Sequence, residues 1–343
     1  MNRWLLDLLC CPGCQADLRL EVLSEEEDAQ SGELRCVRCQ TRYPIRNGIP
    51  RFVSASGQDD QFGFQWNRFR RTQLDSSSGL VISKQRFFNQ AGLQPQDLRG
   101  KLVLDVGCGA GRFAEVALAS GACIVAADFS SATDACLRNL GEHPSLGILQ
   151  ADLYNLPLKP ASFDFVYCFG VLQHTPDVKA AFFAILEQCK AGGRVAVDVY
   201  PRSLSNAINP KYWLRPVTKR MPLGRLLSAL RMTVPTLLTL SIFLGRIPLA
   251  GQKLRRLVPV ANYSGVYPLS RKQLREWALL DTFDMLAPRY DRPQSVKTLR
   301  SWFVEAGLDA IEVFTIGVLV GRAIKPSPRS VVGGAHAQAL PRS

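Results

Sequence analysis

The sequence predicts an α/β fold, a doubly wound and mainly parallel sheet, with a small β unit ahead of it and a helical insert within it. Three observations carry this. Strand-like and helix-like segments alternate from Leu102 to Lys190, the pattern in which crossover helices cover both faces of parallel strands. The first of these strands turns into the first helix through a loop with glycines at Gly107, Gly109 and Gly111, so a ligand can lie against the backbone and the helix's free N–H groups. Near the N-terminus, two Cys-x-x-Cys pairs, Cys11/Cys14 and Cys36/Cys39, are separated by 21 residues.

The elements follow in order. Leu102, Val103 and Leu104 run into Asp105, and a helix is expected over Arg112–Ser120. A second strand, Cys123–Ala127, ends in Asp128, whose carboxylate can accept hydrogen bonds from ribose hydroxyls. A third, Leu146–Gln150, runs into Asp152 and Leu153, and a fourth, Phe163–Phe169, leads into Gly170–Asp177. Helices are expected at Ser131–Leu140 and Val178–Lys190, and a fifth strand at Arg194–Tyr200. After a long interruption, a helix over Val296–Ala306 stops at Gly307, and Ile311–Thr315 with Val318–Ile324 reads as a terminal hairpin. Dinucleotide enzymes make the same turn but space their glycines G-x-G-x-x-G, whereas here they fall as G-x-G-x-G.

This series closely resembles the class I S-adenosylmethionine (SAM) methyltransferases, including the branch that works on ubiquinone and menaquinone precursors. The likeness covers residues 98–200 and again 295–325. It implies a Rossmann-like sheet of seven strands in the order 3-2-1-4-5-7-6. By the same resemblance, Gly107, Gly109 and Gly111 admit the methionine and ribose parts of SAM, and Asp105 and Cys108 belong to that motif. Asp128, followed by Phe129, would hold the ribose; Asp152 with Leu153 would meet the adenine; Phe169 and Gly170 would meet the methionine end. His174 is the best single candidate for a general base, since an imidazole titrates near neutral pH. In this family the His of an H-x-x-D segment also serves in a supporting role, and Thr175–Asp177 can be read simply as a helix start. Asp284 and Tyr290 belong to Asp281–Pro293, a segment dense in Asp, Tyr and Arg that suits either an acceptor pocket or a polar surface loop.

Residues 1–55 form a unit of their own. Asp17–Leu23 and Glu33–Arg35 alternate as hairpin strands around an acidic turn at Ser24–Gly32. With Tyr43–Pro50 they resemble the small zinc-ribbon activator proteins that bind tRNA and ribosome methyltransferases as a partner subunit. Cys11, Cys14, Cys36 and Cys39 are then the zinc ligands, and Cys10 has no place in the scheme. Four thiolates leave no open coordination position, so the zinc is structural. Residues 56–97 are expected to form a linker and N-terminal helices over the cofactor, with Gln61–Arg71 aromatic and basic and Leu80–Gly92 helical. The methyltransferase domain spans 98–325, with a helical lid or insert at about 201–294, and 326–343 reads as a disordered tail.

The net charge of +13 is localised in that insert. From Val199 to Arg275 there is no acidic residue, while Arg and Lys are frequent. Met221–Arg231 reads as an amphipathic helix, and the uncharged Met232–Gly245 that follows would be only about 21 Å long as a helix, too short to span a bilayer. Two compatible readings follow: a lid over the sheet, or peripheral membrane contact through 203–260 with Arg215, Lys219, Arg220, Arg225 and Arg231 meeting lipid phosphates. No apolar run reaches spanning length, no signal peptide is visible, and Cys108, Cys123, Cys136, Cys168 and Cys189 sit in core-like segments. A cytoplasmic protein, peripheral at the inner membrane face, is expected. The leading function is methyl transfer from SAM to a small-molecule or lipid-linked acceptor. An RNA (tRNA or rRNA) methyltransferase is the alternative, with ribbon and insert as RNA-binding elements, and a non-catalytic SAM-binding partner is a third class. Against RNA, the insert's charges interleave with Leu, Ile and Pro, and Phe169–Leu172 stands where base-amino methylases carry Asn/Asp-Pro-Pro-aromatic.

Overall fold

The computed structural model describes residues 1–21, 31–53, 60–202 and 209–327. Most of the expected acidic turn, nearly all of the Ser54–Asp60 linker and the tail beyond residue 327 lie outside the described residues. The N-terminal unit comprises α1 (Arg3–Leu8), β1 (Leu18–Glu21), β2 (Gly32–Cys36), β3 (Arg42–Arg46) and β4 (Ile49–Pro50), the strands joined in sequence order as an antiparallel sheet. Helices α2 (Gln61–Arg68), α3 (Asp75–Ser78) and α4 (Ile82–Ala91) follow. Then come β5 (Leu102–Val106), α5 (Arg112–Ala119), β6 (Cys123–Asp128), α6 (Ala132–Leu140), β7 (Leu146–Gln150), β8 (Phe163–Cys168), α7 (Val178–Glu187) and β9 (Cys189–Val199). The insert supplies α8 (Pro210–Thr218), α9 (Leu223–Gly245), α10 (Gly251–Leu254) and α11 (Arg271–Leu286), and α12 (Val296–Glu305), β10 (Asp309–Ile316) and β11 (Val318–Ile324) close the chain.

The large sheet has seven strands in the order β10-β11-β9-β8-β5-β6-β7, the order expected. The five strands β5 to β9 are parallel, and β11 runs antiparallel to both of its neighbours, β9 and β10. Parallel strands covered on both faces must be apolar throughout, and Val103, Leu104, Ile124, Val125, Val166 and Val197 are all fully buried. Gly321, in β11, lets Phe303 pack flat on the strand, since a Cβ there would stand 2.7 Å from the ring.

The N-terminal unit seals the β7 edge of this sheet. Leu9 bridges Leu158 and Arg51 bridges Gln150, and the Phe52 N–H donates to the Gln150 carbonyl at 2.8 Å. Arg51 also pairs with Asp134 at 2.6 Å. Leu5, Leu9, Leu34 and Ile45 share one apolar core with Leu149 and Leu158. Gly147 makes room for this contact, because a Cβ there would lie 2.9 Å from Leu5. An edge that would otherwise present unpaired backbone groups is thus covered by the chain's own ribbon.

The structure corrects three expectations. The helix expected over Val178–Lys190 stops at Glu187, and β9 starts at Cys189 rather than Arg194. Cys189 pairs with Phe163, the ladder then shifts register before Phe165, and Gly192 takes a positive φ of 76° that absorbs the shift. In the insert, Met221–Arg231 and the uncharged stretch after it join in one 23-residue helix, α9, so a helix long and apolar enough to cross a membrane is present after all. Pro235 is tolerated because it sits on the exposed side, where water can take the carbonyl it leaves unpaired. Finally, Arg215 does not face solvent: it is buried, and its guanidinium donates to the carbonyls of Met285 at 3.0 Å and Pro288 at 2.7 Å.

Candidate functional site: a glycine loop opening on a polar and aromatic cavity

The loop after β5 needs its glycines for three different reasons. All three have positive φ: 81° at Gly107, 52° at Gly109 and 86° at Gly111. A Cβ on Gly107 would lie 2.3 Å from Val171, and one on Gly109 would lie 3.0 Å from the Trp66 indole nitrogen. Gly111 meets α6 instead, with Leu140 at 2.9 Å and Cys136 at 3.0 Å.

The strand ends hold the loop in place. The Gly109 N–H donates to Asp128 Oδ2 at 2.9 Å, while the Ser130 N–H and hydroxyl donate to Oδ1 at 2.8 and 2.6 Å. Burial raises the Asp128 pKa, and these three bonds oppose the shift. Asp152 accepts the Tyr154 N–H at 3.0 Å, which starts the turn that carries Leu153. At the end of β8, the Gly170 N–H donates to Asp198, which also receives Arg86 at 2.8 Å and Gln90 at 3.0 Å.

These strand ends open on a single cavity of about 840 Å³. Gly107, Cys108, Gly109, Asp128, Phe129, Asp152, Leu153, Phe169 and Gly170 all line it, as do His174, Asp284 and Tyr290. Asp105 and Gly111 do not. Asp105 lies beneath the loop, 2% exposed, beside the Tyr167 hydroxyl, and burial pushes its carboxyl up to about 8.

Residues 104–197 match the family model described as a methyltransferase domain. Residues 2–48 match a second model, that of Trm112p-like proteins. Among curated relatives, the ubiquinone biosynthesis O-methyltransferase of Xylella fastidiosa is 34% identical over 111 residues, 32% of this chain and 45% of the relative. That of Idiomarina loihiensis is 33% identical over 123 residues, 34% and 47% of the two chains. The chain thus spans about half the length of these curated relatives. Among solved structures, a complex of the Haloferax volcanii Trm112 methyltransferase activator with a methyltransferase aligns at 12% identity and TM-score 0.46, covering 80% of this chain and 99% of that one. A SAM-dependent methyltransferase from Methanococcus maripaludis aligns at 14% and 0.44, covering 82% and 99%.

The three expected chemical residues line the same cavity as the glycine loop, gathered by different elements. His174 Nδ1 lies 3.0 Å from the Tyr290 carbonyl. A carbonyl can only accept, so Nδ1 carries a proton, and in the neutral ring Nε2 is the nitrogen with the lone pair. Nε2 is buried and has no protein partner. Tyr290 therefore acts on His174 through its backbone. Asp284 proves to be helical, on α11, and accepts from Gln65 at 3.1 Å and from the Tyr200 hydroxyl at 3.3 Å.

The insert also brings residues that sequence reasoning missed. Tyr263, Tyr267 and Trp277 pack together, with ring centroids 5.5–5.6 Å apart, and Arg112 lies 5.7 Å above the Trp277 ring. Arg112 donates to Ser83 at 2.8 Å and Gln73 at 2.7 Å, and burial lowers its pKa to about 10. Asp281 takes the Tyr263 hydroxyl and is pushed up to about 6 by burial. Lys211 pairs with Asp291 at 2.8 Å and lies over the Tyr200 and Tyr212 rings at 5.0 and 4.7 Å. The position of Arg112, directly after Gly111, was the one available signal; the aromatic trio had none. Gln61, Phe62 and Trp66 of α2 complete the wall over the loop, where an N-terminal segment was expected to fold.

The four paired cysteines lie apart from this cavity. The Sγ atoms of Cys11, Cys14, Cys36 and Cys39 all fall within 4.8 Å of one another, with Cys11–Cys39 at 3.6 Å and Cys14–Cys36 at 3.4 Å. Tetrahedral zinc with Zn–S bonds of about 2.3 Å needs sulfurs ~3.8 Å apart, so the donor set fits zinc. The N–H groups of Arg38 and Cys39 donate to Cys36 at 3.4 Å, the usual support for a thiolate ligand. Cys10 belongs elsewhere: it is buried, and its N–H donates to the Pro157 carbonyl at 3.0 Å.

Proposed function

We infer that this protein is a SAM-dependent methyltransferase acting on a small-molecule hydroxyl, with its Trm112p-like domain serving a structural role through zinc. The observation that carries the reading is the single cavity shared by the glycine loop, Asp128 and the unpartnered His174 Nε2.

When bound, SAM supplies a methyl carbon activated by a positive sulfonium, so the protein needs little covalent machinery. Gly107 and Gly109 offer bare backbone to the methionine and ribose portions, and Asp128 has further lone pairs for ribose hydroxyls. Asp152 and Leu153 line the adenine end. On the acceptor side, Tyr200, Tyr212, Tyr263, Tyr267 and Trp277 offer ring faces to a planar, aromatic acceptor. His174 Nε2 would accept the proton of an acceptor hydroxyl bound beside it, and Nδ1, held by the Tyr290 carbonyl, would keep the ring in that tautomer. The name of the Xylella and Idiomarina relatives supports oxygen as the methylated atom. The four thiolates of the zinc site suit a reducing, cytoplasmic setting.

The test has two stages. Titration calorimetry with S-adenosylhomocysteine should give saturable binding that Asp128→Ala weakens; an absence of binding would remove the cofactor. Lipid and RNA extracts incubated with methyl-labelled SAM then separate the acceptors. Label in lipid-soluble or aqueous small molecules supports the reading, and label in RNA alone would replace it with an RNA methyltransferase.

A further inference from the structure

Helix α9 has two unlike faces. Leu226, Leu227, Leu230, Val234 and Leu238 share a core with Ala278, Leu280, Phe283 and Leu286, so one face is packed along most of its length. The opposite face carries Met232, 75% exposed, and Phe243, 64% exposed, with Leu240 beside them. A surface helix of a water-soluble domain carries charged or polar residues on its outer side, and on α9 that side has the hydroxyls of Ser228, Thr233, Thr236 and Thr239. Here no charged residue occurs between Arg231 and Arg246. Only 33% of the most apolar stretch is buried, which separates α9 from an ordinary core helix.

Charges flank this uncharged face at both ends. Arg225 and Arg231 are exposed on its N-terminal side, and Arg246, Lys253 and Arg256 on its C-terminal side. Ile247 and Leu249 in the following turn are exposed as well. On α8, Trp213 and Val217 are exposed while Lys211 and Tyr212 line the cavity. The whole segment from Val199 to Arg275 contains no carboxylate to neutralise these cations.

We propose that α9 docks flat on an anionic lipid bilayer, with Met232, Leu240 and Phe243 entering the acyl boundary and the flanking arginines meeting lipid phosphates. An in-plane helix with an apolar face and long cationic side chains that reach back to the headgroups is the physical form of such a site. Three alternatives fit less well. A spanning orientation would strip the Leu226–Leu238 face from α11. A second copy of the chain, packed through the same face, would bring two acid-free surfaces together with like charges opposed. A polynucleotide would find no cation along the central ~20 Å of the helix. The proposal does not depend on the methyltransferase reading, because it concerns the outer face of the insert.

The experiment is flotation of the full-length protein with phosphatidylcholine vesicles, with and without phosphatidylglycerol, over a series of salt concentrations. Binding should require phosphatidylglycerol and weaken steeply with salt. Met232→Gln/Phe243→Gln should reduce partitioning by about tenfold or more. Arg225→Gln/Arg231→Gln/Arg246→Gln should reduce it on the order of a hundredfold. All five side chains are exposed, so both variants should melt like the parent and bind S-adenosylhomocysteine equally. Equal binding to both vesicle types, or none to either, overturns the proposal. So does a concentration-dependent dimer abolished by Met232→Gln/Phe243→Gln, or single-stranded RNA binding lost in the arginine variant while vesicles are ignored.

Discussion

The main-chain N–H of Gly109 donates to the Asp128 carboxylate at 2.9 Å, so the residue at the end of β6 also holds the loop after β5. One side chain thereby fixes the ligand-facing backbone and offers its remaining lone pairs to the ligand. Asp128→Ala removes both functions and should weaken SAM binding by ~1.5–3 kcal/mol, about tenfold to more than a hundredfold. Asp128→Asn, which still accepts hydrogen bonds, should lose less. Titration calorimetry of the two variants decides; equal losses would show that the loop contact plays no part.

His174→Ala should leave SAM affinity close to that of the parent and lower kcat by about a hundredfold or more, the usual contribution of a positioned base. The distinguishing readout is acceptor acidity. The variant should recover relative activity on acceptors whose hydroxyl ionises unaided, because only proton removal is missing. A uniform loss across acceptors would place His174 in a supporting role.

Zinc removal should act at a distance from the metal. Cys11→Ser, or stripping with chelator, should release one zinc per chain and loosen the ribbon's hold on β7. Hydrogen exchange at Leu146–Gln150 should then quicken, since Phe52 and Arg51 pair there. Cys10→Ser should leave the zinc content unchanged.

Asp105 gives a pH prediction with a definite sign. Burial raises its folded-state pKa to about 8 from the ordinary 3.8, so the folded state holds a proton that the unfolded chain releases. The associated stability is fully present below pH 3.8 and is lost as pH rises through about 8. Asp105→Asn, neutral throughout, lacks this slope. Urea denaturation should show the variant gaining on the parent between pH 5 and pH 8, while a constant difference would mean that the carboxyl ionises freely.

The parallel strands, the glycine loop and the four thiols were legible because each is written locally: apolar runs, a side-chain-free turn, paired cysteines at matched spacing; the strand order came from the family resemblance alone. The start of β9 at Cys189 was not legible, because Lys190–Gly193 lacks strand propensity and is held by distant backbone, with Gly192 and Gly193 bonded to Lys325. Tyr263, Tyr267 and Trp277 escaped notice for the same reason, since a long insert brings them to Arg112 through tertiary packing alone. The 23-residue span of α9 was hidden by Pro235, a helix breaker in isolation that a packed opposite face overrides.

The junction of the ribbon with β7 has a consequence for assembly. A cap made as a separate subunit must find its edge by diffusion, must be produced in matching amounts and can dissociate. Here six residues, 54–59, separate the last described residue of the ribbon from the start of the next segment, so the cap is held at a high effective concentration beside the strand it covers. Two components that could have been regulated apart are synthesised, folded and turned over as one.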